Sequence, residues 1–183
     1  MPASPVLRDV FSAHRAAFGE EDHGYLFEHG PPPIDRLDVL VYRPAGNLDL
    51  TTFTTIGMAT APDPGGNRSE LQFSRRGRLN AEDEGAVAGQ LAILAVHPFS
   101  TGAAFAWGQL IGLGHDFPTF PGRPAVFLSG PLTNTGRDYL TTSEGQVRVI
   151  NVIPVSDAER AEARTRPPIQ FIQRLMAQRD VLA

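Results

Sequence analysis

The sequence predicts an α+β domain, with helices packed on a central β-sheet. Three observations carry this expectation. Residues 37–42 and 51–56 are dominated by β-branched, aromatic and other apolar side chains, and the turn formers Arg43-Pro-Ala-Gly-Asn47 fall between them, as in a hairpin. Residues 147–155 are apolar on both alternating faces, which suits a strand at the middle of a sheet. Residues 80–98 place Val87, Leu91, Leu94 and Pro98 at helical spacing.

The first helix is expected over residues 6–18. Leu7, Val10, Phe11, His14 and Phe18 share one stripe, Ser4-Pro5 supplies a cap and a proline at the first turn, and Gly19 stops it. Residues 20–33 read as loop. The cluster Glu20, Glu21, Asp22 and His23 reads as solvated and not as a metal site, because consecutive side chains do not converge without a dedicated loop. Gly57-Met58 closes the second hairpin strand, with glycine at a positive-φ turn and methionine as a core plug. Residues 59–67 form a Pro/Gly-rich connection, and the alternation in 69–73 gives a third strand with Leu71 and Phe73 inward.

Asn80 caps the middle helix, whose acidic first turn (Glu82, Asp83, Glu84) suits the helix dipole. Ala88, Ile93 and Ala95 widen its apolar face, His97 is structural, and Pro98 is expected to end it. Residues 99–124 are rich in glycine, proline and aromatics; 125–128 form a fourth strand; 133–146 read as a long polar loop. Ser156-Asp-Ala-Glu159 is a capping box opening a helix over 157–165, and Ile169, Ile172, Leu175 and Met176 form the stripe of a last helix.

At 183 residues one domain is expected, with residues 1–36 as a helix and Pro-rich loop packed on a domain spanning 37–183. The net charge of −4 argues against a nucleic-acid partner, and an acidic surface suits a basic protein partner, although mild acidity is ordinary for cytosolic proteins. There is no cysteine, and all 16 basic residues are arginine, which removes thiol nucleophiles, thiolate metal sites, phosphate-loop lysine and Schiff-base chemistry. The N-terminus lacks a signal-peptide pattern and no run reaches transmembrane length, so cytoplasmic residence with no membrane association is expected.

Gly112-Leu-Gly114 starts like a dinucleotide fingerprint, but Phe117 stands at the third glycine position. No Gly-x-Ser-x-Gly or His-Glu-x-x-His motif occurs, and no metal site or cofactor is expected. His115 is the histidine to single out. It follows Gly112 and Gly114 and precedes Asp116, so its ring either pins this loop through a backbone carbonyl or contacts a ligand directly. A small-molecule binder or hydrolase using Gly114-His115-Asp116 is the alternative function.

The order of Asp38-Val-Leu-Val-Tyr-Arg-Pro44, Thr52-Phe-Thr-Thr-Ile-Gly-Met58 and Glu70-Leu-Gln-Phe73 resembles the Suppressor of Fused domain family. The resemblance continues through Leu91-Ala-Ile-Leu-Ala95, through Gly114-His115 with Pro118, and through the apolar strand leading to Asp157 and Glu159. It implies a central mixed, mainly antiparallel β-sheet flanked by α-helices, in the short single-domain bacterial type. It also implies a non-enzymatic protein-binding module, plausible as an immunity protein that neutralises a toxin domain. The residues expected at or beside the binding face are Gly57, Met58, Glu70, Gly114, His115 and Asp116.

Overall fold

The computed structural model describes residues 4–183, so residues 1–3 of the N-terminus read above lie outside it. Eight strands form one mixed sheet in the order β1 (His23–Glu28), β2 (Arg36–Tyr42), β3 (Leu50–Ile56), β4 (Arg68–Arg76), β8 (Gly145–Val155), β6 (Ala125–Ser129), β5 (Leu110–Gly112). The exception to that row is β7 (Tyr139–Thr142), which pairs with the start of β8. All pairings are antiparallel except β4 with β8, which run parallel with Glu70 opposite Val149. The long β8 thus has β4 on one side and, on the other, β7 along its first half and β6 along its second. This is the central position that its two-sided apolar pattern anticipates.

Three apolar clusters follow from strand alternation. Helix α2 (Ala81–Thr101) covers one face, burying Val87, Leu91 and Leu94 against Val39, Val41, Phe53, Leu71 and Phe73. Helix α1 (Pro5–Phe18) covers the opposite face of the same strands through Val6 and Val10, against Leu40, Tyr42 and Val149. Helices α3 (Asp157–Ala163) and α4 (Pro168–Gln178) close the far end, with Phe171 and Leu175 on Phe127 and Ile153. The Ser156–Glu159 capping box forms as expected, and Asn80 caps α2 by accepting from Asp83 N–H.

Several expectations are corrected. Residues 20–33 are not all loop: β1 lies within them as an edge strand, and Tyr25 and Phe27 alternate inward from solvated neighbours. Helix α2 continues past Pro98, which is buried inside it, and Gly102 in the left-handed conformation stops it instead. Ile93 does not widen its buried face; it is 63% exposed. The polar segment 133–146 contains β7, whose hairpin partner β8 begins at Gly145. A short strand, β5, emerges from the Gly/Pro-rich stretch. In α4 the buried residues are Phe171 and Leu175, whereas Ile169 and Met176 face solvent.

Replacing Leu91, fully buried at the centre of the α2 face, with alanine should cost about 2–5 kcal/mol. A lower urea midpoint at unchanged slope checks this.

Candidate interaction site

At the end of β3 the chain turns sharply. Gly57 has φ 139°, and a Cβ there would lie 2.6 Å from the Arg36 carbonyl oxygen, so both conformation and space demand glycine. Met58 follows in a single 3-10 turn (Met58–Thr60) and is buried in the α2-side core, as its reading as a plug anticipates. The turn is held by Glu70, which has no exposed surface. Its Oε1 accepts from Gly57 N–H at 2.9 Å and Ala59 N–H at 3.1 Å, and its Oε2 from the Thr55 hydroxyl at 2.6 Å. Burial pushes its carboxyl up to about 7, partly offset by these donors.

Thr55 extends the network across the sheet. Its hydroxyl also accepts from Leu71 N–H at 2.8 Å, and its carbonyl accepts from His14 Nε2–H of α1 at 3.2 Å. That bond fixes the histidine tautomer, leaving Nδ1 to accept from the Arg137 guanidinium at 3.2 Å. Arg137 also donates to Gln72 Oε1 and lies 4.7 Å over the Phe18 ring. Burial, reinforced by the Arg137 charge, lowers the His14 pKa to about 4, so its ring is neutral. Sequence reading placed His14 on the apolar stripe, but nothing in the stripe announces Arg137 as its partner.

At the opposite end of the sheet, the β5 edge has different chemistry. Trp107 leads into β5, with its indole N–H donating to the Val149 carbonyl at 3.4 Å. Gly108, at φ 91°, lets Pro168 at the start of α4 approach so closely that a Cβ would meet it at 2.4 Å. Between α4 and the segment after β6 runs an apolar groove of about 430 Å³, lined by Trp107, Phe127, Leu132, Ile169, Ile172 and Met176. Ile169 is 70% exposed and Met176 40%. Beyond β5 comes Gly114-His115-Asp116, all exposed. His115 Nδ1–H donates to the Asp116 carbonyl at 2.9 Å, and Asp116 Oδ2 accepts from Gly122 N–H at 2.8 Å.

The six residues singled out from sequence therefore divide into two groups. Gly57, Met58 and Glu70 share one turn, buried at the level of Val149. Gly114, His115 and Asp116 follow Gly112, which pairs with Ala125, itself opposite Val155. Six residues of β8 separate these levels, about 20 Å at 3.3 Å per residue. Sequence reasoning missed the α4 groove; the stripe Ile169, Ile172, Leu175 and Met176 marks an apolar face, and only the exposure of Ile169 and Met176 reveals a surface. Among the described residues there is no group of three His, Asp or Glu side chains placed to hold a metal, and no helix long and apolar enough to cross a membrane.

A mixed eight-stranded sheet, covered by α1 and α2 and ending in β1 and β5, defines an α+β domain. The family model for Suppressor of fused protein matches residues 33–182, and the chain belongs to this family. Solved structures agree on the fold. A Suppressor of fused homologue from Neisseria gonorrhoeae has a TM-score of 0.72 at 16% identity, covering 97% of this chain and 93% of its own. The Sufu–Fu complex gives 0.69 at 14% identity, covering 97% and 85%. Drosophila Suppressor of Fused gives 0.70 at 13% identity, covering 97% of this chain and 47% of that longer one. No curated protein matches in sequence.

The buried pair Glu70 and His14 makes opposite contributions to pH dependence. Glu70 holds its proton more tightly when folded, so its contribution is complete below its ordinary pKa of 4.5 and is lost as pH rises through about 7. His14 binds its proton less tightly when folded, so its contribution is complete above 6.5 and is lost as pH falls towards 4. Their slopes, each up to about 1.4 kcal/mol per pH unit, oppose one another where the windows overlap. Denaturant titrations of Glu70→Gln should show stability that climbs with pH from 4 to 6.5. His14→Gln should show stability that declines from pH 4.5 to 7.

Proposed function

We propose that this chain is a non-enzymatic, cytoplasmic protein-binding module whose partner docks along the β5 edge, and that its role is immunity against a toxin domain. The observation that carries the reading is continuity. The open edge of β5 has the apolar α4 groove at its start and the exposed His115 loop at its finish, so one partner can span all three. A rigid aromatic anchor beside exposed aliphatic side chains is the composition expected of an interaction hot spot. Family membership supports the same reading, since a neighbour in fold is seen as the Sufu–Fu complex.

The alternative, chemistry at Gly114-His115-Asp116, has weaker support. The His115 Nδ1–H and the Asp116 carboxylate are both engaged within the loop itself, the latter through Gly122 N–H. Asp116 is then the pin of the loop, and His115 keeps Nε2 available for a partner. Gly57, Met58 and Glu70 serve the interface indirectly, as the rigid support of the sheet.

Co-expression with a toxin-like protein encoded beside this gene tests the role. A stable complex and restored growth are expected, and absence of both removes the immunity claim. Ile169→Asp should weaken that complex at least about tenfold at unchanged melting temperature, because Ile169 is largely exposed. For His115→Ala, reduced affinity with unchanged melting is expected; a lower melting temperature alone would make the ring a structural pin.

A further inference from the structure

The opposite edge of the sheet carries a second feature. Strand β1 pairs only with β2, so its outer backbone edge is open. Alongside it, on the face covered by α2, lies an apolar groove of about 330 Å³ lined by Phe27, Pro31, Ile34, Ala92, Ile93 and Val96. Ile93 is 63% exposed on its wall. The other face of the β1–β2 ribbon differs. By alternation it presents Leu26, 51% exposed, with Glu28 beside it and Asp38 opposite Leu26. Arg36, opposite Glu28, is already engaged by Asp38 through two hydrogen bonds at 2.9 and 3.2 Å.

Charge sets this edge apart. Residues 20–38 hold six acidic residues (Glu20, Glu21, Asp22, Glu28, Asp35, Asp38) and one arginine, a net −5 in a chain whose total is −4. The rest of the molecule is therefore close to neutral. An open strand edge normally carries a device against pairing, such as an inward-pointing charge or a covering element. Here the acids flank the strand and leave its middle, Gly24 to Phe27, uncharged. Glu20 and Glu21 are paired with Arg15, and Asp38 with Arg36, so the carboxylates outside these ion pairs are Asp22, Glu28 and Asp35. They disfavour a second copy of this chain, because edge-to-edge pairing would bring like charges together. They favour a strand of opposite sign.

We propose that the outer edge of β1 takes an extended cationic segment of a partner protein as an added strand. The alternating faces specify its pattern: apolar side chains on one side enter the groove under Ile93 and Phe27, and Lys or Arg on the other side meet Glu28 and the flanking carboxylates. Main-chain hydrogen bonds supply affinity that is tolerant of sequence, and the two faces supply selectivity. This rests on the reading of the chain as a protein-binding module, but it concerns the edge opposite β5, six strand spacings or roughly 29 Å away.

The test is a random ten-residue peptide library displayed and panned on the full chain at low salt, followed by synthesis of the selected peptides. Enrichment of Lys or Arg alternating with Val, Ile, Leu or Phe is expected, with amide-exchange protection over residues 23–28. Binding should fall at least about tenfold in the Glu28→Gln/Ile93→Asp double variant, whose melting is unchanged because both positions are exposed and no like charge is set opposite Arg36. It should also weaken steeply as salt is raised to about 0.5 M. Selected peptides without net positive charge, equal affinity for the double variant, or no selected peptide at all would each overturn the proposal. Peptides insensitive to the double variant but lost with Ile169→Asp would move binding to the α4 groove, overturning this inference and leaving the β5 reading intact. Failure of the toxin co-expression leaves the β1 edge unaffected.

Discussion

A carboxylate with no exposed surface organises the middle of this domain. Removing Glu70 from water is costly, and the cost is offset only because donors converge on both oxygens: the Thr55 hydroxyl and the amides of Gly57 and Ala59. Those amides are available because β3 stops where it does, and β3 can stop there because residue 57 has no Cβ to strike the Arg36 carbonyl. One side chain thus fixes the length of a strand, the direction of the chain leaving it and the depth at which Met58 enters the core. Thr55 passes the constraint on, with its carbonyl holding His14 of α1 and His14 in turn receiving Arg137. The helix on one face and the polar segment before β7 are tied to the sheet through this line of neutral acceptors around a partly buried guanidinium.

Rigidity at the centre leaves the two edges free to differ. The β5 edge is flanked by an apolar groove and a self-bonded loop, with its tryptophan held by the Val149 carbonyl. The β1 edge also has a groove, and the sequence around it, residues 20–38, holds six acidic residues and one arginine. The chain belongs to the Suppressor of fused family, and both surfaces proposed for its partners lie at the periphery of the sheet. Both edges offer main-chain pairing, which any extended segment can use; side chains and charge decide which segment does.

Long or strongly patterned elements were legible in the sequence. The hairpin of β2 and β3, the two-sided apolar β8, the caps at Asn80 and Ser156 and the Gly57 turn follow from local chemistry and are found in place. Short edge elements were not. Strand β1 has only Tyr25 and Phe27 on its inner face, β5 has three residues, and β7 is polar outside Leu140; each is a strand because a neighbour supplies its hydrogen bonds. Pro98 shows the reverse error. A proline costs a hydrogen bond wherever it falls, but burial of its ring on the core and the Gly102 cap outweigh that loss.

The candidate site divides in the same way. Sequence alone determined which residues to single out: a glycine with a methionine at a turn, an acidic residue in an alternating strand, a histidine between glycines and an aspartate. Only the tertiary structure decided what each does. Glu70 is interior and His115 exterior because β4 lies at the middle of the sheet, whereas the loop after β5 lies beyond its edge. The exposed apolar residues Ile93, Ile169 and Met176 match a helical period as well as buried ones do. Periodicity records that a helix has an apolar face, and what covers that face depends on elements far away in the chain.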